Sequence, residues 1–198
     1  MIQLTDMAGL AGSAIAMAAA AAMLPGVARI PKQYRIGLAC AVASAALIPF
    51  GGLPLAAYVR GMVGDLSIVS LILLVSVILN RLAGCLPLQA QPRFILLLLV
   101  AIAALWLYPM ALGIGYFDPY RMGYGNLWFT GTLLVIALAA CYRQLNVVAL
   151  AIALAVFAWS IGWYESTNLW DYLLDPLLAI YALGALTKRS VRAILRAR

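Results

Sequence analysis

Histidine is absent from this chain, and only six of its 198 residues are acidic. Without an imidazole the chain lacks the usual base for a serine or cysteine nucleophile and the commonest ligand of zinc and haem. The three cysteines, Cys40, Cys85 and Cys141, form neither a CxxC pair nor a metal-binding spacing. No metal, no cofactor and no disulfide is therefore expected. Lysine is confined to Lys32 and Lys188, both at the edges of apolar segments, so no lysine lies within a helix to carry a retinal Schiff base. Polar low-complexity stretches and any soluble module are lacking too.

What is present is apolar. Hydrophobic residues make up 67% of the chain, charged residues 10%, and the mean hydropathy is +1.05, a composition that belongs in lipid. A spanning helix needs about 20 mostly apolar residues. Seven runs qualify: Met7 to Val27, Ile36 to Tyr58, Leu66 to Leu86, Phe94 to Tyr116, Asn126 to Tyr142, Leu145 to Tyr164, and Trp170 to Thr187. Strands of a barrel would alternate polar and apolar residues over about 10 positions, whereas the run from Phe94 is apolar on every side. The expectation is an all-α, seven-helix membrane bundle in one domain over residues 1–198, with a basic tail at 188–198.

Basic loop residues orient such a thread. Arg29, Lys32 and Arg35, then Arg81 and Arg93, then Arg143, then the tail from Lys188 to Arg198 all fall on one side, which the positive-inside rule makes cytoplasmic. Only Arg60 and Arg121 fall opposite, together with all six acids: Asp6, Asp65, Asp118, Glu165, Asp171 and Asp175. The N-terminus is thus expected outside and the C-terminus inside, in a bacterial-type inner membrane. The first run resembles a signal sequence in its alanines, but Asp6 replaces the basic n-region. It is kept as a helix, and Gly9, Gly12, Ser13, Ala16 and Ala18 to Ala22 give it small faces for close packing.

The outer side carries the candidate site. Arg60 and Asp65 are the lone charges of the stretch from Gly51 to Ser67. Asp65 caps the third helix on one reading; on the other, Arg60 holds an anionic headgroup while Asp65 orients it or acts as base. Asp118, Arg121 and Trp128 mark the next outer loop, and Trp163, Glu165, Trp170 and Asp171 the last. Aromatic rings beside carboxylates suit the membrane interface, and equally a sugar or lipid-linked glycan. Asp175, counted from Asn168, lies about two turns inside the seventh helix, on the face of Asp171. Starting that helix at Pro176 instead would make Asp175 its N-cap, but would leave too short a run before Lys188 unless the helix continues into the basic tail, so the embedded placement is expected.

Gly61-Met-Val-Gly-Asp65 is similar to the glycine and aspartate motif of intramembrane aspartyl proteases such as prepilin peptidases, with one residue more in the spacing and no partner motif. That resemblance implies a hydrolase with a second aspartate, drawn from Asp118, Asp171 and Asp175. Three helices, a linker helix and three more also resemble the topology of sweet transporters, which implies a small transporter or channel with Asp175, Ser67, Ser70, Ser76 and Asn80 on its path. The favoured expectation is a site handling a lipid-linked or glycan-like ligand in envelope lipid or polysaccharide metabolism, as accessory subunit or enzyme. Candidate catalytic residues are Asp65, Asp118 and Asp175; candidate ligand contacts are Arg60, Arg121, Trp128, Trp163, Glu165, Trp170 and Asp171. Expected partners are membrane lipids, the lipid-linked ligand and another membrane protein; nucleic acid is not expected, and the basic tail is read as lipid contact.

Overall fold

The computed structural model describes residues 4–83 and 89–196. Among these the chain is all-α apart from a two-residue hairpin. Cys85, Leu86 at the end of the third apolar run, and Arg198 lie outside the described residues.

Helix α1 (Leu4–Met23) is rich in alanine, the residue with the best helix propensity, and it stops where Pro25 and Gly26 follow. A 3-10 turn (Pro25–Arg29) leads into α2 (Lys32–Ala46). Arg35 ties this corner together by donating to the carbonyls of Ala28 at 2.8 Å and Ile30 at 2.7 Å. The expected second helix, Ile36 to Tyr58, is broken. Pro49 has no amide to donate, and Gly51 and Gly52 take φ of 64° and 99° that other residues resist. The chain therefore doubles back through β1 (Pro49–Phe50) and β2 (Leu53–Pro54) into a short α3 (Leu55–Val63).

Helix α4 (Ile68–Ile78) starts at Ser67, whose hydroxyl accepts from the Ser70 amide, and runs into a π turn (Leu79–Ala83). Helices α5 (Ala90–Ala111), α6 (Leu127–Tyr142) and α7 (Asn146–Ser160) follow. Asn126 caps α6 through the amides of Trp128 and Phe129, and Gln144, at φ 58°, makes the tight α6–α7 corner. The last apolar run is not one helix either. Helix α8 (Leu169–Leu173) ends at an extended Leu174, and α9 (Pro176–Arg196) begins afresh.

This corrects the placement of Asp175. It is the N-cap of α9, its Oδ1 accepting from the Leu178 amide at 2.9 Å, with Pro176 where a missing amide costs nothing. The length objection falls because α9 continues through the basic segment to Arg196, so what was expected as a tail is mostly helix.

Helix α1 packs against α2, α3 and α4; α4 and α5 both pack on α7; α5 pairs with α9 and α6 with α7. Small residues make these approaches possible. Ala151, Ala155 and Ala182 are wholly buried in the main core, and Ser13, Ala18, Ala19 and Ala22 line the buried face of α1. Two helices, Thr5–Met23 and Ala90–Ala111, are long and apolar enough to cross a membrane; Ile68–Leu82, Leu127–Tyr142 and Asn146–Ser160 are apolar but shorter.

Candidate functional site

Three hydrogen-bonded networks gather at one end of the bundle. The first is centred on Arg60. Gly64, at φ 81°, closes α3 and turns the chain back, so that Asp65 meets the guanidinium five residues earlier. The pair is bidentate: Nε to Oδ1 at 2.6 Å and Nη2 to Oδ2 at 3.0 Å. Asp6 from α1 accepts from Nη1 at 3.1 Å, and Glu165, before α8, stands 3.5 Å from Nη2. The hydrogen bond to Asp65 chiefly holds the Arg60 pKa well above its ordinary value, against the opposing cost of burial. Helix α1 reaches this group only because residue 9 is glycine: a Cβ there would lie 2.2 Å from Asp65 Oδ1 and 2.4 Å from Arg60 Nε.

The second network is centred on Asp175, which is 3% exposed. Its Oδ2 accepts from the Ser67 amide at 3.0 Å, the Ser67 hydroxyl at 2.7 Å and the Ser70 hydroxyl at 2.5 Å, while Oδ1 caps α9. Two helix N-termini, those of α4 and α9, converge on this carboxylate, and both dipoles favour its negative charge. Tyr164, in the connection between α7 and α8, completes the corner by donating to the Leu66 carbonyl at 2.8 Å.

In the third network Asp171 accepts from the Tyr120 hydroxyl at 2.9 Å and from the Ser166 hydroxyl at 2.5 Å. Burial, with Asp171 beside it, raises the Tyr120 pKa above its ordinary value and keeps the hydroxyl a donor. Asn168 caps α8 through the Trp170 amide and donates to the Tyr120 carbonyl at 2.9 Å. Gly123 leaves the room for it, since a Cβ at that position would lie 1.7 Å from Asn168 Oδ1. Trp170 is buried, its indole donating to the Pro119 carbonyl at 3.0 Å.

That tryptophan closes one end of a cleft. Helices α5 and α6 follow one another in sequence, yet each packs on α7 more than on its neighbour. Between them lies a cavity of about 370 Å³ lined by apolar residues such as Leu99, Ala103, Leu133 and Ile152, with Thr132 at its rim. Trp106 and Phe129 pack around Trp170 at its head, with ring centroids 6.1 Å and 4.4 Å away, and Met122 joins them in the lining.

No protein-family model, curated protein or solved structure matches this chain.

Asp65, Asp118 and Asp175 fall in separate environments: one on Arg60, one accepting from the Tyr120 amide at 3.0 Å, one on the two serines. Among the described residues no hydrogen bond joins two carboxylates. Arg60, expected to take an anionic headgroup, is engaged by three carboxylates. Arg121 is exposed and makes no ion pair among the described residues; Trp128 and Trp163 are exposed, whereas Trp170 belongs to the core. Sequence reasoning missed Tyr120 and Ser166 as partners of Asp171, and Asn168 as the residue that ties α8 to Tyr120. Asn168 alone carried a signal, an N-cap residue just before an apolar run.

Proposed function

We propose that this chain is a polytopic protein of a bacterial-type inner membrane, crossing it seven times with its N-terminus outside, and that it holds a lipid-linked, glycan-like ligand. Exposed apolar side chains on α5, α6, α7 and α9, among them Leu105, Leu134, Val135, Phe157 and Ile180, support a lipid-facing surface. The shorter α6 and α7 rise roughly 24 Å and 22 Å at 1.5 Å per residue, against an apolar thickness of about 30 Å. Trp128, Tyr142 and Trp163 near their ends suit the interface that makes up the difference.

The observation that carries the ligand reading is the α5–α6 cleft: an apolar slot opening sideways, headed by Trp106, Phe129 and Trp170, next to the Tyr120–Asp171 pair. Such a slot suits a long hydrocarbon, and the rings at its head, next to the Tyr120–Asp171 pair, suit a hydroxyl-bearing group. Arg121, beside Met122 and without an ion pair among the described residues, is a cation that would meet a linking phosphate. Each candidate acid already accepts from a protein donor, which favours a holding or subunit role in envelope lipid or polysaccharide metabolism over chemistry. An aspartate-dependent hydrolase would need two carboxylates sharing a proton, and nothing in these networks favours one.

One observation favours a second reading, a small transporter with Asp175 on its pathway. The α3–α4 and α8–α9 segments are both interrupted, and the two breaks meet at Asp175, the arrangement of discontinuous helices around a transport site. Against it, the α5–α6 cleft is apolar, and the Ser76 hydroxyl is turned to the Leu73 carbonyl of its own helix.

Native mass spectrometry of protein gently extracted from its own membrane tests the first reading. Wild type should retain a discrete lipid-linked mass, and Thr132→Phe, which fills the cleft from its exposed rim, should reduce the retained fraction about tenfold. Retention unchanged in Thr132→Phe would remove the cleft from the account; loss on Asp175→Asn alone would favour transport.

A further inference from the structure

A second groove, on another face of the bundle, has an arginine at its mouth. It lies between α1 and α9 with α4 as its floor, encloses about 290 Å³, and is lined by residues such as Ala16, Leu73, Leu74, Val77 and Leu177. The hydroxyls that touch it are turned away: Ser70 donates to Asp175 and Ser76 to the Leu73 carbonyl. Its wall is therefore apolar until the far end, where Arg93 and Tyr181 stand.

We propose that this groove binds one acyl chain of an anionic phospholipid, with the lipid phosphate on Arg93. Charge complementarity selects the occupant. Arg93 is exposed, donates to the Tyr181 hydroxyl, and has no carboxylate partner among the described residues. A second cation lies nearby, because the Arg189 guanidinium sits 4.0 Å from the centre of the Phe94 ring, next in sequence to Arg93. An anion at this mouth meets the Arg93 guanidinium, and no carboxylate is among the residues that line the groove. Shape suits it as well: from Ser70 to Val77 the floor is about 10 Å long at the helical rise, an apolar slot along which a slender hydrocarbon chain can lie. The inference rests on the membrane reading but not on the α5–α6 ligand, which occupies another cleft.

The test uses the full chain in nonionic micelles, titrated with phosphatidylglycerol or with phosphatidylcholine of the same chains and read by native mass spectrometry. One phosphatidylglycerol should bind about tenfold more tightly than phosphatidylcholine. Arg93→Gln, a surface change that leaves the core untouched, should reduce phosphatidylglycerol to the phosphatidylcholine level. Ala16→Phe should weaken both lipids by filling the groove, whereas Arg192→Gln on the exposed end of α9 should leave the preference intact. Equal binding of the two lipids by wild type, or an undiminished preference in Arg93→Gln, would overturn the proposal. So would an equal loss in Arg192→Gln, which would assign the attraction to the basic helix as a whole. Failure of the membrane reading would show differently, as a protein monodisperse without detergent.

Discussion

Asp65 and Asp175 lie at the same end of the molecule but are held by opposite means. Asp65 is matched by a charge: its partner Arg60 also serves Asp6 and Glu165, and the side chains of the cluster are between 18% and 59% exposed. Asp175 is matched by dipoles: two serine hydroxyls, two backbone amides and the ends of α4 and α9, at 3% exposure. The first arrangement is screened by solvent and salt, and each exposed pair contributes about 1 kcal/mol or less. In the second, every donor left without a partner costs about 1–3 kcal/mol. Asp175 therefore bears on the fold of the interrupted helices, and Arg60 on how firmly α1 is latched to α3.

That contrast orders the expected effects of substitution. Asp175→Ala should be the most damaging, losing about 3 kcal/mol or more, read by equilibrium unfolding in mixed micelles. Asp175→Asn should recover part of this, because its oxygen still caps α9. A loss below about 1 kcal/mol for Asp175→Ala would mean that water replaces the carboxylate, and the contrast would collapse.

Gly123→Ala should follow, at about 2 kcal/mol, because its Cβ would meet Asn168 and displace the α8 cap. Gly9→Ala should cost about 1–3 kcal/mol by driving α1 off the ion pair. Combined with Asp65→Ala, it should cost less than the sum of the two, since the nearest of the obstructing atoms is gone and Arg60 has lost the partner that fixes it. Strict additivity in that cycle would place the strain elsewhere.

Arg60→Ala should cost about 1–2 kcal/mol, and the loss should shrink as salt screens the three carboxylates left together. Smallest should be Asp118→Asn, within about 0.5 kcal/mol, because the asparagine oxygen still accepts from the Tyr120 amide.

The sequence made some of this legible and hid the rest for identifiable reasons. Helical class followed from long apolar runs, and the acids expected on one side do form three adjoining networks. The break in the second run was written in Pro49-Phe-Gly-Gly-Leu-Pro54, whose turn residues were outweighed by counting apolar length. For Asp175-Pro176 the capping reading had the correct local chemistry. Only its length counts against it, and that objection disappears because lysine and arginine are good helix formers and α9 runs on to Arg196. The Ser67–Asp175 bond spans 108 positions, and no local pattern encodes such a partner. Nor does a glycine announce that it makes room for an ion pair, as Gly9 does.

The central claim, that the α5–α6 cleft holds a lipid-linked ligand, is tested most directly by photo-crosslinking in native membranes. A benzophenone amino acid would stand in place of Thr132 at the cleft rim or of Leu134, which is 59% exposed on the outer face of α6. The account predicts that the Thr132 position captures one discrete lipid-linked species while the Leu134 position captures bulk phospholipid. The same phospholipid adducts from both positions would contradict it.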